Sequence, residues 1–387
     1  MRVVVPVTQN YFEWLGGLNY LRTLVSAVDE HGSGEIQPIL LAPERRPPDA
    51  LNGFPPELRI ESSALLDVGR PAWVARTARA RATGTDAGLD RVVRGLGADL
   101  LSHHDPLGRG AHTPTLAWIP DVQHRRLPEL FSRRQHRERD RQLARIDRYA
   151  AGVVVSSEAG RADLAAAIPG ASDRIHVLRF VPDIGADASE TDVRAARDEH
   201  GLTGRYLYLP NQMWVHKNHR VVVEAMGRLR REGAAVTVVT TGDTADPRSP
   251  GLAGELSARA AELGVQDDLR VLGRVPYATV KALMAGAVAV VNPSLFEGWS
   301  TTVEEARALG KRTVLSDIDV HREQDLPAAL YADPRDAEAF AAALAQAWDE
   351  EDESAETARR AAAHAQHPAR RRAFARRYED ICLGLNR

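Results

Sequence analysis

Short runs of aliphatic and β-branched residues alternate along this chain with longer segments whose apolar positions recur at helical spacing. The runs at residues 3–7, 36–41, 116–118, 153–155, 175–178, 206–209, 236–240, 269–272, 287–292 and 313–316 are mostly apolar at successive positions. A strand with one wet face alternates in polarity. A strand apolar on both faces belongs in a parallel sheet covered by helices on each side. Between the first two runs, Leu18, Leu21, Val25 and Val28 fall on one face of a helix. Repeated from one end to the other, this alternation predicts an α/β fold with crossover connections.

The pattern runs through two successive sets, separated by the polar stretch 182–204, with the linker at 182–188. A chain of 387 residues exceeds the ~250–300 that one core usually serves. The expected architecture is therefore two Rossmann-like, doubly wound domains, 1–182 and 189–366. Such domains bind ligands at the carboxyl ends of their strands, and two facing one another form a central cleft. Segment 367–387 carries Phe374, Tyr378, Ile381 and Leu385 at spacings of four, three and four. It is expected to be a helix that packs back on the N-terminal domain. The Ala-rich stretch 337–365 fits helical packing and shows no solenoid period.

Charge and cysteine content remove several function classes. Lys and Arg total 50 against 53 Asp and Glu, giving a net charge of -3, so nothing global draws the chain to nucleic acid. Nine arginines between Arg125 and Arg148 make one local exception. They suit a solvated helix face or a surface for an anionic substrate or membrane. Cys382 is the single cysteine, which excludes intrachain disulfides and cysteine-rich zinc sites. No run reaches the ~20 apolar residues needed to cross a bilayer. The expectation is a cytoplasmic enzyme, with peripheral contact to the inner membrane face left open.

Candidate chemistry concentrates in SLFEGWSTTVEEARALG, residues 294–310. Asn292, Pro293 and Ser294 close a buried strand, Glu297, Gly298, Trp299 and Ser300 form a loop, and Thr301 or Thr302 caps a helix that Gly310 ends. Unpaired N–H groups and the positive end of the helix dipole then face whatever lies above the loop, and a diphosphate satisfies them best. Glu297 and Glu305 stand eight positions apart. Beside phosphate they would bind neighbouring hydroxyls, although Thr302 and Glu305 also have the spacing of a capping box.

This string resembles the Glu-x7-Glu region of the retaining GT4 glycosyltransferases, also called group 1, which have the GT-B fold. The segments LGRVPYATVKALMAGAVAVVNP and VVVSSEAGRADLAAAIPGASDRIHVLRFVPD are similar to other parts of that family, and the likeness covers most of 1–325. It implies that Glu297 contacts the sugar of a nucleoside-diphosphate-sugar donor and that Glu305 binds its ribose. It also implies that Gly298, Trp299, Ser300, Thr301 and Thr302 hold sugar and diphosphate. Lys217, on a loop before a helix that Asn218 can cap, would reach the same anion. The family often pairs this lysine with an arginine five positions earlier; Gln212 stands there, so one phosphate charge partner is missing or is supplied by Arg274 or an arginine of the 125–148 helix. Gly16 and Gly17, between the first strand and first helix, permit positive φ and close approach to an anion. An N-domain histidine of the family aligns with Pro120, leaving Asp121, with His124 four residues on, to take its role.

The resemblance implies transfer with retention, without a metal or other cofactor, to a hydroxyl of a saccharide, lipid-linked saccharide or small metabolite. Asp317 and Asp319 form the Asp-x-Asp pattern that would instead hold a divalent cation. A sugar-nucleotide epimerase, a non-catalytic nucleotide-sugar-binding protein and a nucleotide-binding regulator are the alternatives. The sequence does not set the sugar, the acceptor or the oligomeric state.

Overall fold

A computed structural model describes residues 1–13, 15–350 and 352–385. The chain divides into two compact units, Met1–Val181 with Ala369–Arg387, and Pro182–Pro368. Each is an α/β layer structure around one parallel sheet.

The first unit holds β1 (Arg2–Pro6), β2 (Gln37–Ala42), β3 (Arg59–Ser62), β4 (Leu100–Ser102), β5 (Thr115–Trp118), β6 (Gly152–Val155) and β7 (Ile175–Val177). Its sheet runs β3-β2-β1-β4-β5-β6-β7, parallel at every pairing. The long helix Glu353–Gly384 contributes its last part here. Arg371 Nη2 donates to Glu30 Oε2 at 2.8 Å, Tyr378 donates to Ser102 Oγ at 2.8 Å, and buried Glu379 accepts from the Ser33 N–H at 2.8 Å. Phe374, Tyr378 and Ile381 are buried on the same face.

The second unit holds β8 (Leu207–Leu209), β9 (Val238–Thr240), β10 (Leu269–Val271), β11 (Val290–Asn292), β12 (Thr313–Ser316) and β13 (Ala329–Ala332). All are parallel in the order β10-β9-β8-β11-β12-β13. Side chains alternate between two cores, as a two-sided sheet requires. Leu207, Leu209, Val238 and Val291 join helices His219–Arg231, Leu252–Glu262 and Ala337–Asp349 on one face. Tyr208, Val239, Val290 and Leu315 join helices Tyr277–Ala285 and Thr301–Ala308 on the other. The strand order reverses between β8 and β11, and the carboxyl ends flanking such a reversal form the crevice where doubly wound sheets take ligands.

Strands β3, β4 and β13 are absent from the sequence expectation for physical reasons. β3 is an edge strand with mostly exposed side chains, and β4 spans only three residues. β13, ALYA, is half-buried at the other edge. Among the described residues no helix is long and apolar enough to cross a membrane.

Gly310 shows how tightly the second unit is drawn together. It ends the helix Thr301–Ala308 at φ 65°, and a Cβ there would lie 2.5 Å from the Arg360 Cα and 2.6 Å from its N. Both contacts are with main chain, which a side-chain rotation does not relieve. Gly310→Ala is expected to lower the unfolding free energy by about 2–4 kcal/mol, combining left-handed strain with displacement of a helix. Urea denaturation of the variant beside the wild type measures it.

Candidate functional site

The loops leaving β8 and β11 meet at the switch point of the second sheet. Lys217 lies in a short 3₁₀ turn, Val215–Lys217, after β8. Its ammonium donates to Glu297 Oε1 at 2.7 Å. Glu297 sits in the loop 293–299, and its side chain is only 8% exposed. Burial, the largest influence, pushes its carboxyl up; the Lys217 charge and hydrogen bonds from Lys217 and Ser294 outweigh it and hold the group below its ordinary value. Glu297 is therefore a carboxylate at neutral pH, with Oε1 engaged by the lysine.

A continuous set of polar contacts fixes the loop. The Ser294 hydroxyl lies 2.7 Å from both Glu297 Oε1 and Asn292 Oδ1 and donates to one at a time. Asn292 Nδ2 donates to Ser300 Oγ at 2.7 Å, and Asn211 Nδ2 donates to Asn292 Oδ1 at 3.1 Å. Thr302 Oγ1 donates to Asn211 Oδ1 at 3.1 Å. Main-chain contacts tie the loop to both neighbours: the Leu295 N–H donates to the His216 carbonyl at 2.8 Å, Ser316 Oγ to the Ser294 carbonyl at 2.6 Å, and Gln324 Nε2 to the Ser300 carbonyl at 3.0 Å. Asn211, Asn292, Ser294, Ser300, Ser316 and Gln324 are all buried. These hydrogen bonds offset the cost of taking the polar groups out of water.

The helix begins one residue earlier than the threonines suggest. Ser300 is the N-cap, its Oγ accepting from the Val303 N–H at 3.3 Å, so Thr301 and Thr302 occupy the first turn. Their N–H groups donate to no acceptor among the described residues. Gly298 and Trp299 precede the cap, half-buried. Because Ser300 caps, Thr302 and Glu305 form no capping box. Glu305 instead accepts from the Tyr277 hydroxyl at 2.9 Å. Burial raises its carboxyl to about 7, with that hydrogen bond and Lys281 acting in the opposite direction.

Other expectations change on contact with the geometry. Asn218 adopts φ 55° and its side chain does not cap the next helix; it donates to the Pro293 and Pro334 carbonyls at 3.0 and 2.7 Å. Gln212 makes no side-chain hydrogen bond among the described residues. Arg274 is a 66% exposed surface group donating to Asp243 Oδ2 at 2.7 Å. Gly16 and Gly17 do not lie in a loop after β1. A helical turn, Gln9–Glu13, intervenes, and both glycines open the helix Leu15–His31. Any anion contact there would use first-turn N–H groups, not a positive φ. In the first unit, Asp121 Oδ1 accepts from the Gln123 N–H at 2.8 Å. His124 is 2% exposed with Nε2 3.4 Å from Asp140 Oδ1, so it is a buried residue, not a surface one. Burial lowers its imidazole below the ordinary histidine value. Asp317 is bound by Arg322 at 2.7 and 2.8 Å, and Asp319 opens the helix Asp319–Gln324.

Asn211 and Tyr277 are members of this candidate site that the sequence did not single out. Their signal was a polar residue just past a buried strand and an aromatic at a helix start, both too common to single out.

Two doubly wound parallel sheets along one chain are the fold of the GT-B glycosyltransferases. The solved structure of Anabaena HepE in complex with UDP and glucose matches with a TM-score of 0.71 at 16% identity, covering 99% of each chain. Sucrose-phosphate synthase from Thermosynechococcus elongatus matches with a TM-score of 0.65 at 14% identity, over 99% of this chain and 97% of that one. A UDP-forming α,α-trehalose-phosphate synthase from Burkholderia xenovorans gives 0.64 at 16%, over 100% and 98%. Residues 204–350, which carry Lys217, Glu297 and Glu305, match the family described as glycosyl transferases group 1. No curated protein matches the chain.

Replacing Lys217 with Met strands a buried carboxylate, at an expected cost of about 3 kcal/mol in unfolding free energy. Adding Glu297→Gln should recover most of it, as a double-mutant cycle by urea denaturation will show. Without the ammonium the Glu297 carboxyl moves up, and a raised carboxyl loses stability as pH rises. The Lys217→Met deficit is therefore expected to be larger at pH 8 than at pH 5.

Proposed function

We propose that this chain transfers a sugar from a nucleoside-diphosphate sugar to a hydroxyl acceptor, retaining the anomeric configuration and using no metal ion. The observation that carries the reading is the convergence, at one switch point, of Lys217, the carboxylate of Glu297 and the uncovered first-turn N–H groups of Thr301 and Thr302.

Chemically, the bond from the anomeric carbon to the diphosphate oxygen breaks and a bond to the acceptor oxygen forms. Negative charge grows on the departing diphosphate. Lys217 and the N–H groups at Thr301 and Thr302, already fixed in place, stabilise that charge. The acceptor proton passes to the leaving diphosphate oxygen on the same face, which accounts for retention without a protein base. Glu297, held ionised, accepts hydrogen bonds from sugar hydroxyls, and Gly298, Trp299 and Ser300 line the same subsite. Glu305 accepts from the ribose hydroxyls. The neighbours solved with UDP and glucose support a uridine nucleotide as the first donor to try. Asp121 and His124 are assigned to the acceptor side of the reaction, and Gly16 and Gly17 to donor or acceptor contact. The acceptor class and a cytoplasmic location complete the reading.

A thermal-shift panel of UDP, GDP, dTDP and ADP sugars tests it, because a ligand that binds only the folded state raises the melting temperature by mass action. One donor is expected to shift the transition and to yield transfer or slow hydrolysis that falls at least a hundredfold in Glu297→Ala. Binding without turnover would leave a nucleotide-sugar-binding protein, and a product that keeps its nucleotide would leave an epimerase. No shift with any donor at saturating concentration ends the proposal.

Glu305 adds a pH signature. With its carboxyl raised to about 7, the group is half protonated at neutral pH, and only the carboxylate accepts two ribose hydroxyls. Nucleotide affinity is therefore expected to rise between pH 6 and 8. Glu305→Gln should flatten that rise, as calorimetric titrations at three pH values will show.

A further inference from the structure

A nucleoside diphosphate carries two to three negative charges, and the described site offers few positive ones. The Lys217 charge is matched by Glu297 at 2.7 Å, and a helix N-terminus supplies only about half a charge. Gln212 is neutral. Arg274 is largely solvated on Asp243, and Lys311 is buried on Glu356 and the Ala285 carbonyl. Each of these cations already has an anionic partner, so a diphosphate here calls for a further cationic donor beside Lys217 to hydrogen-bond its oxygens.

We propose that Arg248 is that cation: a diphosphate-binding residue delivered by the loop after β9, standing in for the neutral side chain at 212. The assignment rests on the nucleotide-sugar reading above. In the sheet β9 lies beside β8, so the loops at their carboxyl ends are neighbours, and they are laced together. The Met213 N–H donates to the Asp243 carbonyl at 2.8 Å, and the Val215 N–H donates to Asp246 Oδ2 at 3.0 Å. Gly242 permits this approach. It sits at φ 120°, where a Cβ would lie 2.9 Å from the Gln212 Cα. The close contact brings the arginine's loop against the chain at residue 212 itself.

Arg248 is held in place, not loose. Its side chain is 21% exposed, with Nε 3.3 Å from Oδ1 of the fully buried Asp246. Its Cζ lies 5.5 Å from the Trp214 ring centroid. Its Nη2 lies 3.0 Å from His216 Nδ1. An arginine only donates, so Nδ1 accepts and His216 is the neutral Nε2–H tautomer. Burial and then the Lys217 and Arg248 charges push that imidazole down to about 3, against the opposing pull of Glu297 and Asp246. The histidine therefore brings no charge of its own at neutral pH. As the residue before Lys217, it holds the guanidinium against the loop that carries that lysine. The planar fork carries five donors, more than these two anchors engage, in a geometry that matches phosphate oxygens.

The test uses isothermal titration of the full-length protein with UDP, GDP, ADP and dTDP, then with the monophosphate of whichever binds best. The wild type is expected to prefer the diphosphate. In Arg248→Gln, diphosphate affinity should fall ~10–100-fold while monophosphate affinity stays within about threefold, as loss of charge-assisted hydrogen bonds predicts. Arg248→Lys, which keeps the charge, should retain an intermediate preference. Unchanged diphosphate binding in Arg248→Gln overturns the assignment. So does an equal loss for both nucleotides, which would make Arg248 a loop anchor. If the wild type binds none of the diphosphates, the nucleotide-sugar reading itself falls, and this assignment with it.

Discussion

A lysine ammonium 2.7 Å from a buried carboxylate joins the loops after two different strands, and the remaining features of the second unit make sense as its support. Lys217 alone on the loop after β8 would be a mobile cation. Glu297 alone in its pocket would be pushed toward protonation by burial. Together each fixes the other's charge and position. An ammonium fixed this way needs little reorganisation when a second anion arrives, which is the condition under which electrostatic stabilisation of a leaving group is most effective.

The pair does not hold itself. Asn211, Asn292, Ser294, Ser300 and Thr302 form an unbroken set of side-chain hydrogen bonds beneath it. Ser316 and Gln324 brace the same loop from the side of β12. These are short polar side chains at the ends of strands, where a parallel sheet stops covering its own backbone. The strand reversal between β8 and β11 opens the crevice, and these residues fix the loop at its edge. Glu305 accepts from the Tyr277 hydroxyl and feels the Lys281 charge, but neither outweighs burial as the bonded Lys217 ammonium does at Glu297, so one carboxyl is raised while the other is held down.

The buried strands were legible because an aliphatic run that is apolar on both faces fits little besides the middle of a covered parallel sheet. Lys217 and Glu297 could be placed in one site from loop position and family resemblance. The edge strands β3 and β13 were not legible: β3, RIES, is polar at three of its four positions, and β13, ALYA, has only four residues and no β-branched one to tell it from a helical stretch. The helix start was off by a residue because Ser, Thr and Thr in succession can all cap, and only the Asn292 contact selects Ser300. Gly16 and Gly17 misled for a similar reason: a polar stretch after β1 formed a helical turn of its own, carrying the glycines out of the loop. Arg248 could not be found from sequence at all. It lies far along the chain from Lys217 and meets its neighbour His216 only through the pairing of β8 with β9.

A crystal structure with UDP bound would test the central claim most directly. The account places the diphosphate over the first turn of Thr301–Ala308, with Lys217 Nζ and the N–H groups of Thr301 and Thr302 within hydrogen-bonding distance of its oxygens. Glu297 should face the position of the departing sugar. Density for the diphosphate away from this turn, with Lys217 still bound only to Glu297, would contradict it.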